Sequence, residues 1–566
     1  MADANIEAFT RSSEPATAQV QVFTRRASGL VRVMSPYSAF AYNILNIGVI
    51  FPWVYITTLA FYPGASVWEG IMITGTFTAF LAVVYAGLAS AMPRTGGDYV
   101  FQSRTLRPWI GFSIVATVIV TFFLQWQSLA GWLLATLGFG PLFTGLGIIQ
   151  HNTTYLSWGS WFLSAQGAWF TTIAASAVAA AVLIRSFRWF VQAQWVMWYG
   201  FLLSFITMVV MFAITPHLTF ITDYNRAAAI AAGVPVGSVD YFHATITAAT
   251  AGGFSTSRAY SIVGTLLIAP VALTSLGWVG YAQEQAGEIQ GATSLRNQTF
   301  INLGGGITAM AMMAILAFVM VNTVGQSWLG AAYYSWATSL NSPAPFAPYF
   351  SYLAAVLTTN PIILFMMIIG IMLNAIQVVF NVIIGWTRVA VAMSIDGALP
   401  KVVSAVNPRT HTPVFAHVIF LILGGVAYSW VYNYGVINGT PWTTYTLAVT
   451  MVATVMYIGT ALGGALFPRT RPEVYKTAPI SKYKVGPIPL ITLCGGIAVA
   501  FSLWMLYWYV TNPFLGVVLA GNSGYISLGI MAGIFVGWVV YYFLRRAYLR
   551  SIGINLELAY KEIPPI

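Results

Sequence analysis

The apolar residues of this chain form long uninterrupted runs that are separated by short polar stretches. A helix of about 20 residues crosses the roughly 30 Å hydrocarbon core of a bilayer, and each run is at least about that long. The runs lack the polar–apolar alternation of barrel strands, so we predict helices. Twelve spans are predicted, at 36–61, 66–91, 108–137, 163–184, 188–214, 261–283, 297–326, 358–386, 413–434, 443–467, 488–511 and 525–546.

The spans fall into two groups of five around one long polar loop. Because five is an odd number, the second group enters the membrane with the opposite polarity, which is the arrangement of an inverted repeat. We predict an all-α membrane fold of two five-helix repeats plus two extra helices. The predicted parts are an N-terminal tail (1–35), the first repeat (36–214), an extracellular loop (215–260), the second repeat (261–467), a cytoplasmic loop with helices 11 and 12 (468–546) and a C-terminal tail (547–566).

The first span of each group carries residues that interrupt helices. A proline cannot donate its helical hydrogen bond, and glycine lowers the cost of irregular backbone. The two candidate interruptions contain Asn46, Ile47, Gly48 and Pro52 in the first span, and Thr274, Ser275, Gly277 and Trp278 in the sixth. Tight helix packing through small residues is one interpretation. The matched pair favours a second, in which freed amide and carbonyl groups bind a substrate with both a carboxylate and an ammonium group.

Polar uncharged residues lie in the span centres, where Lys, Arg, Asp and Glu are missing. Asn374, Gln377 and Asn381 follow at i, i+3 and i+7, so they share one helical face. This stripe either lines a pathway or forms hydrogen bonds between helices. Gln125 in the third span is a further candidate for substrate binding, whereas its neighbour Trp126 is expected to serve in packing.

Charge predicts the orientation of the spans. Of the 566 residues only 7% are charged, against about 25% in soluble domains. All but two of the 24 Lys and Arg residues fall on one side of the predicted spans, the exceptions being Arg226 and Arg258. Basic residues are retained in the cytoplasm, so we expect a multi-pass cell-membrane protein with both termini cytoplasmic. The net charge of +11 then faces anionic lipid heads, and no nucleic-acid partner is expected.

Signatures of enzymes are missing from the sequence. There is no G-x-x-x-x-G-K-[ST] phosphate loop, which argues against ATP-driven transport. The five histidines show no metal-site spacing, so we expect no enzymatic activity, no metal and no cofactor beyond a coupling Na⁺ or H⁺.

Three stretches resemble signatures of the amino acid–polyamine–organocation (APC) superfamily of permeases. They are AMPRTGGDYVFQSR at 91–104, AGEI at 286–289, and RVAVAMSIDGALPK at 388–401, and they occur in the family's order and at its topological positions. The resemblance implies a five-plus-five inverted repeat that holds an amino acid or related amine between helices one and six. It also implies that Ile47, Gly48 and Gly277 lie in unwound helix and that Trp278 covers the substrate.

The sequence departs from the family pattern in two of these helices. The second glycine of the family's first helix is missing after Gly48, and the acidic residue of its sixth helix is replaced by Val279. A lysine found in the fifth helix of some proton-coupled members is absent, so coupling through that residue is excluded.

The sequence therefore predicts a secondary transporter that works by alternating access, through ion-coupled symport or exchange. A channel or nutrient sensor on the same fold is the alternative. Glu284 and Glu288, spaced one helical turn apart, are expected to pair with Arg94, Arg104 or Arg388 as an inner gate. The other interpretation of these charges is solvated ion pairs that stabilise little.

Overall fold

The computed structural model describes residues 30–257, 259–436, 442–513 and 522–563. Within these ranges the chain is predominantly helical, with a short hairpin of Lys484–Val485 and Ile488–Pro489. Eleven helices of the described chain are long and apolar enough to cross a membrane. The protein is therefore an all-α integral membrane protein.

The helices are numbered α1 to α22 in chain order. Those before residue 260 are α1 (Pro36–Ile47), α2 (Thr57–Phe61), α3 (Val67–Ala91), α4 (Gly97–Thr105), α5 (Pro108–Gln150), α6 (Thr153–Leu163), α7 (Ala165–Arg185), α8 (Phe187–Ile214), α9 (His217–Ala232) and α10 (Tyr241–Ala251). Those after it are α11 (Ile262–Leu266), α12 (Ile268–Leu276), α13 (Leu295–Val324), α14 (Gln326–Ala337), α15 (Phe350–Ala355), α16 (Pro361–Ile395), α17 (Val414–Gly435), α18 (Trp442–Thr470), α19 (Pro472–Thr477), α20 (Leu490–Thr511), α21 (Asn522–Ser551) and α22 (Leu556–Ala559).

The first predicted span is not one helix but a broken segment, residues 36–61. Helix α1 starts at Pro36 after the N-cap Ser35, whose hydroxyl accepts from the amide of Ser38. It stops at Ile47 because Gly48 takes a left-handed conformation, with φ of 79°. The chain resumes as a 3₁₀ turn, Pro52–Tyr55, and then as α2. This first broken segment is not one of the eleven long helical stretches, whereas Ile262–Glu284 of the second broken segment, described next, is one of them.

The sixth predicted span is interrupted as well, and residues 262–288 form a second broken segment. Helix α12 ends at Leu276, residues 277–280 form turns, and two 3₁₀ turns follow, Tyr281–Glu284 and Ala286–Glu288. Gly277 is required at the break because a Cβ atom there would lie 2.5 Å from the ring of Tyr457. The expected i, i+4 relation of Glu284 and Glu288 is wrong, since the backbone between them is not α-helical.

Several boundaries differ from those expected. Helix α5 runs through two π-helical turns, Ile119–Phe123 and Leu134–Phe139, and is longer than the predicted 108–137. The polar loop 215–260 contains α9 and α10, which hydrophobic runs alone did not reveal. Arg258 lies outside the described residues, as do Arg11, Arg25 and Arg26 of the N-terminal tail.

Helices from the two predicted halves pack against one another in pairs. The first broken segment contacts the second, α3 packs on α13, α5 on α16, and α7 on α17. Of the last two long helices, α20 packs on α3 and α18, and α21 packs on α5. The structure thus places both broken segments among surrounding helices, with nearly all of residues 38–60 and 264–290 buried.

The outer surface of the bundle is apolar. Large exposed side chains include Val196, Ile206, Ile362 and Leu544, each with more than half of its area accessible. Soluble monomers rarely expose contiguous apolar surfaces of this kind. Contact with lipid acyl chains explains them.

A substitution at the first break tests its conformation. Gly48→Ala should destabilise the protein by about 1 to 2 kcal/mol, the cost of a left-handed backbone in a residue with a Cβ. Steric crowding adds little, since the nearest atom would lie 3.7 Å from that Cβ. The matched control is Gly496→Ala, within α20, where no atom of the described residues lies within 4 Å of the added Cβ. It should leave stability unchanged or raise it by up to about 1 kcal/mol. Melting temperatures of the two purified variants in detergent provide the measurement, and equal shifts would contradict the assigned break.

Candidate functional site

The two broken segments touch each other at their interruptions. The hydroxyl of Ser275 donates to the carbonyl oxygen of Gly48 at 3.5 Å. The side-chain amide of Asn43 donates to the carbonyl oxygens of Val279 at 2.8 Å and of Ile301 at 3.1 Å. Asn43 therefore links α1 to the turn that follows α12.

Side chains satisfy backbone groups that the first break releases. Leu45 is among the last four residues of α1, whose carbonyl oxygens lack helical partners, and it accepts from Asn374 at 2.8 Å. The carbonyl oxygen of Val49 accepts from the hydroxyl of Tyr55 at 2.6 Å. Unpaired backbone groups are costly inside a membrane, so these contacts make the interruption possible.

A small cavity lies beside the two breaks. Its volume is about 10 Å³, which is room for about one water molecule. The rings of Phe122 and Trp278 restrict it, with centroids 4.3 Å apart, and Tyr281 stands edge-on to Trp278 at 5.5 Å. The lining residues are Asn46, Phe122, Trp126, Trp278, Tyr281, Val378 and Val382.

The structure places two of the expected substrate-binding residues, Asn46 and Trp278, at the cavity wall. The others that surround the breaks are buried beside it: Ile47, Gly48, Thr274, Ser275 and Gly277. The Thr274 hydroxyl pairs with that of Thr450 at 3.1 Å. Gln125 is buried but is not among the described residues that border the cavity, where its neighbour Trp126 lies instead.

The polar stripe on α16 makes contacts between helices. Asn374 donates to Leu45 as described above, and Asn381 donates to the carbonyl oxygen of Tyr42 at 3.4 Å. Gln377 donates to Gln194 of α8 at 3.4 Å and, within α16, to Asn381 at 2.7 Å. None of the three borders the cavity in the described part of the chain. Hydrogen bonding between helices, one of the two interpretations of the stripe, accounts for these positions.

Sequence reasoning missed five of the cavity residues: Phe122, Trp126, Tyr281, Val378 and Val382. Aromatic and branched apolar side chains are common throughout membrane helices, so composition did not distinguish these. The spacing of Val378 and Val382 places them on one face of α16, beside the polar stripe. Their position beside the polar stripe is the one sequence signal that could have placed Val378 and Val382 near the breaks.

A buried ion pair joins the end of the second broken segment to α16. Arg388 binds Glu288 through two parallel hydrogen bonds, Nε to Oε2 at 2.8 Å and Nη2 to Oε1 at 2.9 Å. Both side chains are at most 1% exposed, so the solvated interpretation is wrong for this pair. The guanidinium also lies over the ring of Phe187 at 5.0 Å.

In a second buried pair, Arg104, one of the arginines expected at the gate, binds Asp396 instead of Glu284 or Glu288. Nη2 of Arg104 on α4 lies 2.8 Å and 2.7 Å from the two carboxylate oxygens of Asp396. The hydroxyl of Tyr99 also donates to Asp396, at 2.8 Å. The C-terminal segment covers this pair through Tyr560, whose ring is 5.1 Å from the Arg104 guanidinium and whose carbonyl oxygen accepts from Arg471 at 2.6 Å.

The remaining expected gate residues have different neighbours. Glu284 is buried against Asp98 instead of an arginine. Arg94 is about half-buried and donates to the carbonyl oxygen of Pro93 at 3.3 Å. Burial, together with the nearby charge of Arg32, lowers the pKa of Arg94. Among the residues described, no three His, Cys, Asp or Glu side chains converge as metal ligands would.

Removing one partner of the first ion pair tests its energetic role. Glu288→Ala leaves a buried unpaired guanidinium and should destabilise the protein by about 3 to 5 kcal/mol. Replacing both partners, with Glu288→Met and Arg388→Met together, should recover much of that loss because no charge is left unpaired. Glu473→Ala, which removes the exposed partner of Arg471, is the control and should cost about 1 kcal/mol or less. The measurement is the melting temperature of each purified variant. An equal loss of stability in the single and double variants would contradict the ion-pair explanation.

Comparison with known proteins does not assign the chain to a family. No protein-family model matches it, and no curated protein matches it. Function is therefore inferred from three structural features: two interrupted segments in contact, an aromatic cavity beside them, and buried charges at one end of the second segment.

Proposed function

We propose that this chain is a secondary active transporter that moves an amino acid or related amine across the cytoplasmic membrane by alternating access. The observation that carries the proposal is the contact between two interrupted segments, through Ser275 to Gly48 and through Asn43 to Val279. Interrupted helices that meet within a membrane protein are a typical construction for binding small ions and solutes. Transport would be driven by ion symport or by exchange.

The pairing of helices supports an inverted repeat. If the first broken segment crosses the membrane, the chain has twelve spans. Four of the first five then pack on the span five places later in the chain: the two broken segments on each other, α3 on α13, α5 on α16 and α7 on α17. Related halves that interlock in this way match the five-plus-five architecture implied by the APC resemblance, with α20 and α21 as the two additional helices.

The chemistry of the breaks suits a zwitterion. Freed amide groups at half-helix ends attract a carboxylate, and freed carbonyl oxygens attract an ammonium group. The cavity wall adds one polar side chain, Asn46, and the aromatic faces of Trp278 and Phe122. Such a site would recognise the shared backbone of amino acids and cover an apolar side chain.

The cavity would have to enlarge before it could hold a solute. An amino acid is several times larger than the single water that fits in about 10 Å³. Phe122 and Trp278 stand in contact across this space, so binding would require their separation. In the proposed orientation the pairs Arg388–Glu288 and Arg104–Asp396 lie at the cytoplasmic end and would keep that side closed.

Transport can be tested with the purified full-length chain in proteoliposomes. A screen of labelled amino acids and polyamines, with and without Na⁺, should find saturable uptake that also shows counterflow. Trp278→Ala should reduce that uptake about tenfold or more, because about 1.4 kcal/mol of lost binding corresponds to a factor of ten. Trp189→Ala, at an exposed position on α8, is the matched control and should retain wild-type uptake.

The outcomes separate the alternatives. Both variants should keep a single symmetric gel-filtration peak, so that lost uptake is not lost folding. Unchanged uptake in Trp278→Ala would remove this residue from the site. Ion currents with single-channel openings would favour a channel, and solute binding without any flux would favour a nutrient sensor. Absence of both binding and flux for every solute would contradict the transporter proposal.

A further inference from the structure

Two carboxyl groups meet where the second broken segment touches α4. Asp98 and Glu284 are 3% and 2% exposed, and their side chains lie within hydrogen-bonding reach of each other. The backbone amide of Asp98 also points to Oε1 of Glu284 at 3.5 Å. Among the described residues, neither carboxyl forms a salt bridge, because the buried arginines nearby are bound to Glu288 and Asp396.

The groups that face this acid pair from the surrounding elements are neutral hydroxyls. From α3, Tyr85 donates to Oδ1 of Asp98 at 2.8 Å, and from α18 the hydroxyl of Thr460 donates to the same oxygen. Tyr457 on α18 lies within electrostatic range of Asp98, and no group of the described chain hydrogen-bonds with its buried hydroxyl. On the side of Glu284, no described hydroxyl or amide donates to Oε2, and the charged or titratable neighbours besides Asp98 are Tyr42, Tyr85 and Tyr281.

Two ionised carboxylates in contact, shielded from water and without a cation, would repel each other strongly. A hydrogen bond between two carboxyl groups also requires that one of them carries a proton. Burial raises the pKa of Asp98, although hydrogen bonds from Thr460 and Tyr85 oppose the effect. Buried carboxyl groups of this kind recur as proton relays in membrane transporters.

We propose that Asp98 and Glu284 form a proton-binding site in which one shared proton holds the second broken segment against α4. Proton binding is inferred from the burial and contact of the two carboxyl groups and does not depend on the proposed transport. The further step, that this proton drives solute movement, rests on the function proposed above.

The contacts around the pair show how a proton could act on the break. The amide of Gly96 donates to the carbonyl oxygen of Glu284 at 2.8 Å, so the two backbones are joined directly. The ring of Tyr85 fills the space where a Cβ of Gly280 would be, at 2.3 Å. Loss of the proton would place two like charges at this joint and favour its separation, with the turn at 277–280 as the flexible point.

The acid pair is also connected to the cavity. The ring of Tyr457 lies against Gly277 and stands edge-on to Trp278, with centroids 5.5 Å apart. Tyr457 thus contacts both the aromatic wall of the cavity and the surroundings of Asp98. Solute binding that shifts Trp278 would therefore move a residue that borders the proton site.

The dependence of stability on pH tests proton binding without any solute. A carboxyl whose pKa is raised by folding contributes most below its unfolded value of about 4, and the contribution is lost as the pH rises through the folded value. The melting temperature of the full-length protein in detergent should therefore fall as the pH is raised above about 4. The single variants Asp98→Asn and Glu284→Gln are isosteric with the wild type and leave only one carboxyl group at the site. Two like charges cannot then form, so each variant should abolish most of that fall. Glu473→Gln, at an exposed carboxyl, should keep it.

Infrared spectroscopy of the wild-type protein covers the case in which the variants do not fold. A protonated-carboxyl band should be present in the wild type at neutral pH and should weaken as the pH is raised; where Glu284→Gln folds, its band should be weaker than that of the wild type. A missing band, or a pH slope shared by the wild type and both acid-pair variants, would overturn the proposal. Binding of Na⁺ in place of a proton would also overturn the proposal. It would appear as a rise in melting temperature when NaCl replaces choline chloride, and Glu284→Gln would remove that rise.

Transport then separates coupling from binding. With a solute found in the screen, an imposed pH gradient should drive accumulation by wild-type proteoliposomes. Glu284→Gln should exchange solute at a comparable rate but lose gradient-driven accumulation. Equal accumulation by both proteins would overturn the coupling role and leave the transporter intact. A pH slope without transport of any solute would leave the proton site intact and contradict the proposed function.

Discussion

Every backbone polar group inside a bilayer needs a partner within the protein, and this requirement governs how the two broken segments can exist. Each interruption is supported by side chains that replace lost helical hydrogen bonds. Asn374 reaches the end of α1, Tyr55 reaches Val49, and Asn43 reaches Val279 across the interface. These three polar side chains are therefore placed where the backbone is irregular. Their role in holding the breaks together explains why they face neighbouring helices.

Buried charged groups also need partners within the protein, and leaving one unpaired costs more free energy than leaving a neutral polar group unpaired. A guanidinium removed from water must be compensated, and Arg388 and Arg104 each have a carboxylate partner with well-aligned hydrogen bonds. Asp98 and Glu284 differ because no cation pairs with them in the described part of the chain, and the side chains that donate to Asp98 are hydroxyls, so a proton is the simplest compensation. All these groups connect α4, α16 and the second broken segment at one end of the bundle. A change of charge there would act on the elements that border the cavity.

The cavity and the acid pair share a set of tightly packed rings. Gly277 and Gly280 leave room for Tyr457 and Tyr85, and both tyrosines also approach Asp98. Packed interiors switch between discrete arrangements more readily than they deform continuously. A displacement of Trp278 by a bound solute would reach the acid pair through the ring of Tyr457. This continuity is the physical basis for linking the proposed transport to the proposed proton site.

The sequence by itself determined the membrane class, nearly all the long helices and the two interruptions, because hydrophobic run length and the backbone preferences of Gly and Pro are local properties. It also placed Trp278 and Asn46 near the site. Only the tertiary structure decided which charges meet, since residues such as Asp98 and Glu284 are separated by 186 positions in the chain. The i, i+4 expectation for Glu284 and Glu288 failed because two separate 3₁₀ turns carry these residues. Their partners depend on long-range packing that local periodicity cannot encode.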